Sequence, residues 1–392
     1  EYAALDWAPE ETDEAVLIAF SRVSGVTAFA DAPGRPALRA THRPGLTENA
    51  ILLGLTWLAS HQDDDGRWDC DGFMKHDPFD DLCDGAGGAL FDVGVSGLAL
   101  MAFLANGYTD RGSRHTNRFA GNVRMGLRFL MKSQAPDGTF GTRTSRKFIY
   151  NHTIATIAVC EALWRSRNPR YKKPAQRGLD VVARSRNPYL AWRYEPRGGE
   201  NDTAVTTWCV LALRAGRLAG LDVDPDGFEG ARQWINKMTD PEFGQVGYNM
   251  PGGYPARPEG LKDRFPPEKS QSMTACGILC RLTLGEDPQS SRLIRLGAEL
   301  CVELPPVWNP DDGSIDMYYW YFGTRAMSGV GGGYWRKWSE HLRETLVRYQ
   351  HQRGSGARTG SWDPIGVRGP DGGRIYSTAL LTMCLGTVPS PR

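Results

Sequence analysis

The chain has no surplus of charge of either sign: 46 Lys and Arg stand against 45 Asp and Glu, a formal net charge of +1. Spread without a basic stripe, that balance excludes the electrostatic footprint of a nucleic-acid or anionic-membrane binder. Long hydrophobic runs are also missing. The longest nearly uncharged segment, Val93 to Tyr108, carries three glycines and is shorter than the roughly 20 residues of a membrane span. A soluble domain with no membrane span is expected. The chain begins at Glu1 rather than Met, which leaves room for a removed signal peptide or anchor, so no localisation is assigned.

Metal and disulfide spacings are likewise absent among the eight cysteines, which follow neither a zinc-finger nor a disulfide-framework pattern. Cys160, Cys209, Cys276, Cys280 and Cys384 lie in apolar helical patterns and read as buried thiols. Cys70 and Cys83 differ, because they bracket the acidic loop "CDGFMKHDPFDDLC"; a disulfide there would imply an oxidising compartment. The loop carboxylates Asp77, Asp80, Asp81 and Asp84 could hold calcium through oxygen ligands, but they lack the spacing of an EF-hand and read first as a solvated acidic loop.

What the chain does have is a repeat. "LTWLASHQDDDGRW" ends an amphipathic pattern with Gln62, a turn at Asp65-Gly66 and Trp68; "LRFLMKSQAPDGTF" repeats it with Gln134, Asp137-Gly138 and Phe140. Later copies keep Trp192, then Gly247 and Tyr248; a weak copy surrounds "LCVELPPVWNPDDGS", and a clear sixth has Gln350, Gly360 and Trp362. After each copy comes a segment apolar on most faces, such as "DVGVSGLALMAFL" or "NDTAVTTWCVLAL". Such segments suit buried helices, and the Arg- and Lys-dotted segments before them suit outer ones. The terminal copies lack the polar outer face of solenoid caps. The expected fold class is therefore all-α, a single α/α toroid of six helical hairpins. Residues 1–45 fall outside the pairs as an N-terminal extension, a helix and strap, and residues 46–392 form the toroid.

The Gln, Gly and aromatic repeat resembles the QW motif of squalene and hopene cyclases, and the double ring is similar to their α/α barrel and to the β subunit of protein prenyltransferases. The resemblance covers about residues 46–386. "YNHTIATIAVCEAL", "NDTAVTTWCVLAL" and "GSWDPIGVRGPDGGRIYSTALLTMCL" further resemble bacterial prenyltransferase and squalene-oxidase-repeat proteins. In the cyclases an Asp-x-Asp-Asp motif followed by Thr-Ala opens an inner helix, and its middle aspartate is the proton donor. "GENDTAV" keeps Asp202, Thr203 and Ala204 but has Asn201 at the donor's place and Gly199 at the first aspartate's. An amide is no Brønsted acid in that role, so the familiar protonation is in doubt while Asp202 or His152 stays available for other acid–base work.

Aligning the inner helices on their first small residue puts Asp92, Asn151, Asp202, Ser270, Tyr319 and Gly373 at one position and Val93, His152, Thr203, Gln271, Trp320 and Arg374 at the next. These residues are expected to ring one mouth. Asp202, His152 and Asp92 are the candidate catalytic residues; Asn151, Asn201, Thr203, Gln271, Tyr319, Trp320, Arg374 and Tyr376 are the candidate ligand-binding set. For Asp202 the plainer role is an N-cap, whose oxygen accepts a first-turn N–H. Arg374 and six helix N-termini would favour an anion. The run "MYYWYF", residues 317–322, must send some rings inward, where their faces suit a carbocation or an isoprenoid. Trp68, Phe140, Trp192 and Trp362 read instead as braces between hairpins.

Zinc as in protein prenyltransferases would draw on "DLC" at 81–83 with His152, but the short motif lies in a loop, so neither metal nor cofactor is expected. A Cys-Gly-Glu-Gln thioester sequence is absent and a lanthionine cyclase's Cys, Cys, His arrangement is not evident. The function expected is a cyclase-like or prenyltransferase-like toroid that binds an isoprenoid or similar hydrophobic ligand centrally. The alternatives are a non-catalytic scaffold for a protein partner and a polysaccharide-degrading toroid using carboxylates such as Asp92 and Asp202 beside Trp320.

Overall fold

The two segment types that alternate along the sequence bury different numbers of their faces. The computed structural model describes residues 45–389 apart from Arg114 and Arg146, so the helix and strap expected over residues 1–45 lie, but for Gly45, outside the described residues. In chain order the helices are α1 (Leu46–Ser60), α2 (Asp92–Ala105), α3 (Ala120–Lys132), α4 (Phe148–Ser166), α5 (Lys172–Ser185), α6 (Thr203–Leu218), α7 (Pro225–Met238), α8 (Ser272–Thr283), α9 (Arg292–Glu303), α10 (Met317–Val330), α11 (Gly332–Tyr349) and α12 (Gly369–Thr387). Among the described residues there is no strand, only isolated bridges pairing Gln134 with Phe140 and Thr239 with Val246. None of these helices is long and apolar enough to cross a membrane.

Odd-numbered helices are one-sided. In α5 the buried positions Ala175, Gly178, Leu179 and Val182 recur at the spacing of a single helical stripe. Even-numbered helices are buried nearly all round; α6 is buried from Thr203 to Gly216. Each even helix packs on the next even one, α12 returns to α2, and the inner ring is closed. The odd helices surround it, each bridging the inner helix before it and the one after. The tighter partner of an outer helix is the preceding inner one, so α1 packs chiefly on α12, the last helix of the chain. That exchange lets a linear repeat close: Gly54 of α1 lies so close to α12 that a Cβ there would come within 2.3 Å of the Thr382 hydroxyl.

The repeat residues explain the spacing of the outer ring. Gln62 Nε2 donates to Gly66 O in its own turn (2.9 Å) and to Asn122 O of α3 (3.0 Å); Gln134 does the same to Gly138 O and Pro174 O of α5. Gln350 donates to Gly360 O (2.9 Å) and, across the ends of the chain, to Ala50 O of α1 (2.8 Å). The turn glycines Gly66, Gly138 and Gly360 have φ of +97°, +94° and +98°, where a side chain is strained. Trp68, Trp192 and Trp362 are fully buried and donate their indole N–H to Leu58, Val182 and Leu346 of the outer helices, as braces should.

The acidic loop is solvated at Asp80 and Asp84 and also contributes to the closing seam. Asp81 accepts from the Ala357 N–H (2.7 Å), Asp84 pairs with Arg374, and Trp57 Nε1 donates to Ala357 O (2.9 Å). Cys70 and Cys83 are both free; Cys70 Sγ instead donates to Gly372 O (3.4 Å).

If the seam depends on its hydrogen bonds, Gln350→Ala, which removes both from a buried position, should lower stability by about 1–3 kcal/mol. Urea denaturation measures this; an unchanged midpoint would mean that apolar packing alone holds the ring shut.

Candidate functional site

Because all six inner helices start at one end, their N-termini surround a single mouth. Beneath it lies a cavity of about 110 Å³, lined by residues from every inner helix and from the loop before α8. Along α2 the lining residues are Gly94, Val95 and Leu98, and along α4 they are Tyr150, Asn151 and Ile154. This is one helical stripe of each, running a turn or two inward from the mouth. Trp208 of α6 and Tyr376 of α12 also line it. The Tyr376 hydroxyl is buried and finds no hydrogen-bond partner in the protein. Nearer the mouth stand Lys147, Arg257 and Arg368 with Asp316 and Asp371. Asp316 caps α10 through the Tyr319 N–H (3.0 Å), accepts from Ser270 Oγ (2.8 Å) and pairs with Arg257 (3.3 Å). Asp371 pairs with Lys147 at 3.1 Å.

Of the candidate residues, the cavity gathers Asn151 and Tyr376 and not the others. His152 is fully buried: its Nδ1 accepts from the Phe140 N–H (3.0 Å) and its Nε2 donates to Gly178 O (3.1 Å). The same brace to the repeat's backbone N–H is made by Ser96 to Trp68, Thr206 to Trp192 and Thr274 to Val246. His152 therefore matches those hydroxyl residues, and neither a zinc ligand beside Cys83 nor a mouth residue results.

Arg374 is also displaced from its expected role. It lies fully buried in the seam against Asp84, Asp363 (2.7 Å) and the Ser361 hydroxyl (3.0 Å). Tyr319 donates to Cys301 O (2.8 Å) and faces α9, while Trp320 packs on Trp308; the ring of that run facing the cavity is Tyr318. Thr203 donates to Gly247 O, Asn201 accepts from the Ala191 N–H, and Gln271 accepts from Thr274 Oγ1. Asp92 turns to the preceding loop, accepting from the Cys70 N–H (2.9 Å) and pairing with Arg67 (3.3 Å); burial raises its pKa to about 6. Among the described residues the candidate acids Asp92 and Asp202 thus have separate partners.

Asp202 does cap α6, through Val205 N–H to Oδ1 (2.7 Å). Its other oxygen accepts from the hydroxyl of Tyr248 (3.1 Å), which lines the cavity and is hydrogen-bonded to Tyr194 (2.9 Å). Burial raises the Asp202 pKa to about 6, against the opposing pull of the Val205 N–H and Tyr248. The mouth residues Asp316, Arg257 and Arg368 were missed because the alignment used the first small residue. It placed α10 three residues late and ignored the backbone break at Gly373 (φ +61°) inside α12. A usable signal was present: Asp92–Ser96, Asp202–Thr206 and Ser270–Thr274 share one four-residue step from a polar residue to the bracing hydroxyl.

Two outcomes follow for the buried titrating groups. Burial lowers the His152 pKa to about 4, so the unfolded chain binds a proton below 6.5 that the folded one refuses. Stability should therefore be full above that pH and fall by roughly 3 kcal/mol towards pH 4. His152→Gln, with an acceptor and a donor of its own, should flatten the slope measured between pH 7.5 and 5. For Asp202 the sign is reversed, since a raised carboxyl pKa loses stability as pH rises from the usual 3.8 through about 6. Asp202→Asn keeps the cap and should be as stable as the parent or more so at pH 7.5; Asp202→Ala should lose about 1–3 kcal/mol.

No protein-family model matches the chain. A squalene–hopene cyclase of Bradyrhizobium diazoefficiens is 28% identical over 200 residues, 45% of this chain and 27% of that protein's length. Among solved structures, an α-1,6-mannanase, GH76A of Salegentibacter, superposes with a TM-score of 0.58 at 10% identity, covering 88% of this chain and 98% of that one. That structure is a variant inactivated at two adjacent aspartates and holds α-1,6-mannotriose. The type II terpene cyclase MstE of Scytonema superposes with a TM-score of 0.53 at 12% identity, with coverage of 88% and 98%; a variant of it holds its substrate, geranylgeranyl dihydroxybenzoate. Likeness at such identity establishes the fold and not the ligand. By fold, the chain is an α/α toroid, the architecture it has in common with the mannanase and the terpene cyclase.

Proposed function

We propose that the central cavity binds an isoprenoid or comparable amphiphile, with its apolar tail inward and an anionic head at the mouth. The observation that carries this reading is the sorting of the lining by depth. Leu98, Ile154 and Trp208 lie one to two turns into their helices, whereas Lys147 and Arg368 are the N-cap residues of α4 and α12; with Arg257 they outnumber the lining carboxylates Asp316 and Asp371, with which they pair, by one charge. Tyr150, Trp208, Tyr318 and Tyr376 present aromatic rings to the same space, as a developing carbocation would require. For turnover, a protonated Asp202 would give its Oδ2 proton to the Tyr248 oxygen as the Tyr248 hydroxyl proton passes to the ligand, the reverse of the resting hydrogen bond, in place of a donor at Asn201.

Glycoside hydrolysis needs two carboxylates flanking one bond, one of them free to act as acid. The lining carboxylates Asp316 and Asp371 come from different helices and each holds an ion pair, unlike the adjacent pair altered in the mannanase variant. The scaffold alternative calls for a filled centre, and the cavity supports the ligand-binding reading instead.

The test is native mass spectrometry of the purified chain with geranylgeranyl diphosphate, a geranylgeranyl carboxylate and mannotriose. Retention of the prenyl anions is expected, weakened about tenfold by Arg368→Gln and abolished by Ile154→Trp, which fills the cavity. Any cyclised product should disappear in Asp202→Asn. Retention of mannotriose without prenyl anions would replace this reading with the saccharide one. Retention of neither by the folded chain would return the weight to a protein partner.

A further inference from the structure

The loop joining α1 to α2 contains a side-chain cluster outside the cavity. His61, at the end of α1, meets Asp77 and Cys83, and their ligand atoms all lie within 4.8 Å of one another. His61 and Cys83 are buried, at 3% and 4% exposure, and the Asp77 side chain is equally enclosed. We infer that His61, Asp77 and Cys83 form a zinc site that clamps the seam of the ring.

The hydrogen-bond pattern carries the inference. His61 Nδ1 lies 2.7 Å from Trp57 O, and a carbonyl can only accept, so Nδ1 bears the ring hydrogen. In the neutral imidazole this leaves Nε2 as a bare lone pair. That lone pair faces Asp77 Oδ1 at 2.8 Å, which is another acceptor. Two acceptors at that separation need a cation or a second ring proton between them. Zn2+ would meet the requirement with a nitrogen, an oxygen and a sulfur ligand, its usual donor types, and a water in the fourth position, once Nε2 and Oδ1 part from 2.8 Å to the about 3.3 Å that two ligands of a tetrahedral zinc span. One carboxylate and one thiolate neutralise the ion, and the Cys83 thiol proton leaves to solvent on binding.

The outer contacts are those of a metal site. The His61 ring is oriented by a backbone carbonyl through the nitrogen that does not face the ion. Asp77 Oδ2 accepts from the Cys83 N–H (2.8 Å), which turns the loop so that the cysteine returns beside the carboxylate. The same loop goes on to supply Asp81 to the Ala357 N–H and Asp84 to Arg374. An ion here would fasten the loop of the first hairpin that holds the last one. None of the three residues lines the cavity, so the inference stands or falls apart from the isoprenoid reading.

The test uses the full chain, stripped with a chelator and dialysed, then titrated with Zn2+ alone. Mass spectrometry of bound metal should give about one zinc per chain, and the zinc-loaded chain should melt at a higher temperature than the stripped one. Co2+ in place of zinc should show a thiolate-to-cobalt charge-transfer band. Cys83→Ser should remove that band and weaken zinc at least about tenfold, while Cys70→Ser, in the same loop but outside the cluster, should keep both. The charge-transfer band of the unaltered chain decides the matter even if a variant fails to fold. A folded unaltered chain that takes up no stoichiometric zinc and shows no such band would overturn the site. It would make His61 and Asp77 an imidazolium–carboxylate pair.

Discussion

The structure depends on closing a linear repeat into a ring. Inner helices such as α6 are buried on almost every face, so an open array would expose an apolar flank at each end. Closure removes both flanks by pressing α12 against α2 and laying α1 over α12. The polar groups of the seam are matched as it closes. Gln350 reaches the Ala50 carbonyl, and Arg374 is surrounded by Asp84, Asp363 and Ser361. A buried guanidinium without such partners would be strongly destabilising, so the acidic loop and Arg374 require each other.

Closure also creates the cavity. Each inner helix contributes a stripe that would be one wall of a groove in an open array; six walls meeting surround a central space. The N-terminal ends of those helices carry polar residues for two different reasons. Asp202 and Asp316 cap their helices, and His152, Ser96 and Thr206 receive the backbone N–H of the bracing aromatics. A different set, Lys147, Arg257 and Arg368, has its charge at the mouth. Asp202 belongs partly to both, because the oxygen not used in the cap touches a tyrosine of the cavity wall. An α/α toroid accommodates terpene cyclisation in one neighbour and mannan hydrolysis in another, so chemistry resides in which side chains a given ring turns inward.

The architecture was legible because it rests on local and repeated features. The Gln-to-turn spacing and the turn glycines state a hydrogen bond found at Gln62, Gln134 and Gln350, and the alternation of one-sided with fully apolar helices states a burial that recurs from hairpin to hairpin. The bracing role of Trp68, Trp192 and Trp362 followed from the same repetition, and the cap at Asp202 from its position before an apolar run. The site was less legible. Helical position advances about 100° per residue, so an alignment three residues late in α10 exchanged Tyr319 and Trp320 for the inward Tyr318 and overlooked Asp316. His152 matched a mouth residue in one alignment and a bracing hydroxyl in space.

The sequence by itself determined the six-fold repeat, the inner and outer helices and the turns between them, because these depend on neighbours close along the chain. Only the tertiary structure decided which residues share the cavity and which share the seam. Arg374 stands 290 residues from Asp84, and Lys147 stands 224 from Asp371. Contacts at such separation are set by the rotation of each inner helix and by ring closure, and no local pattern records either.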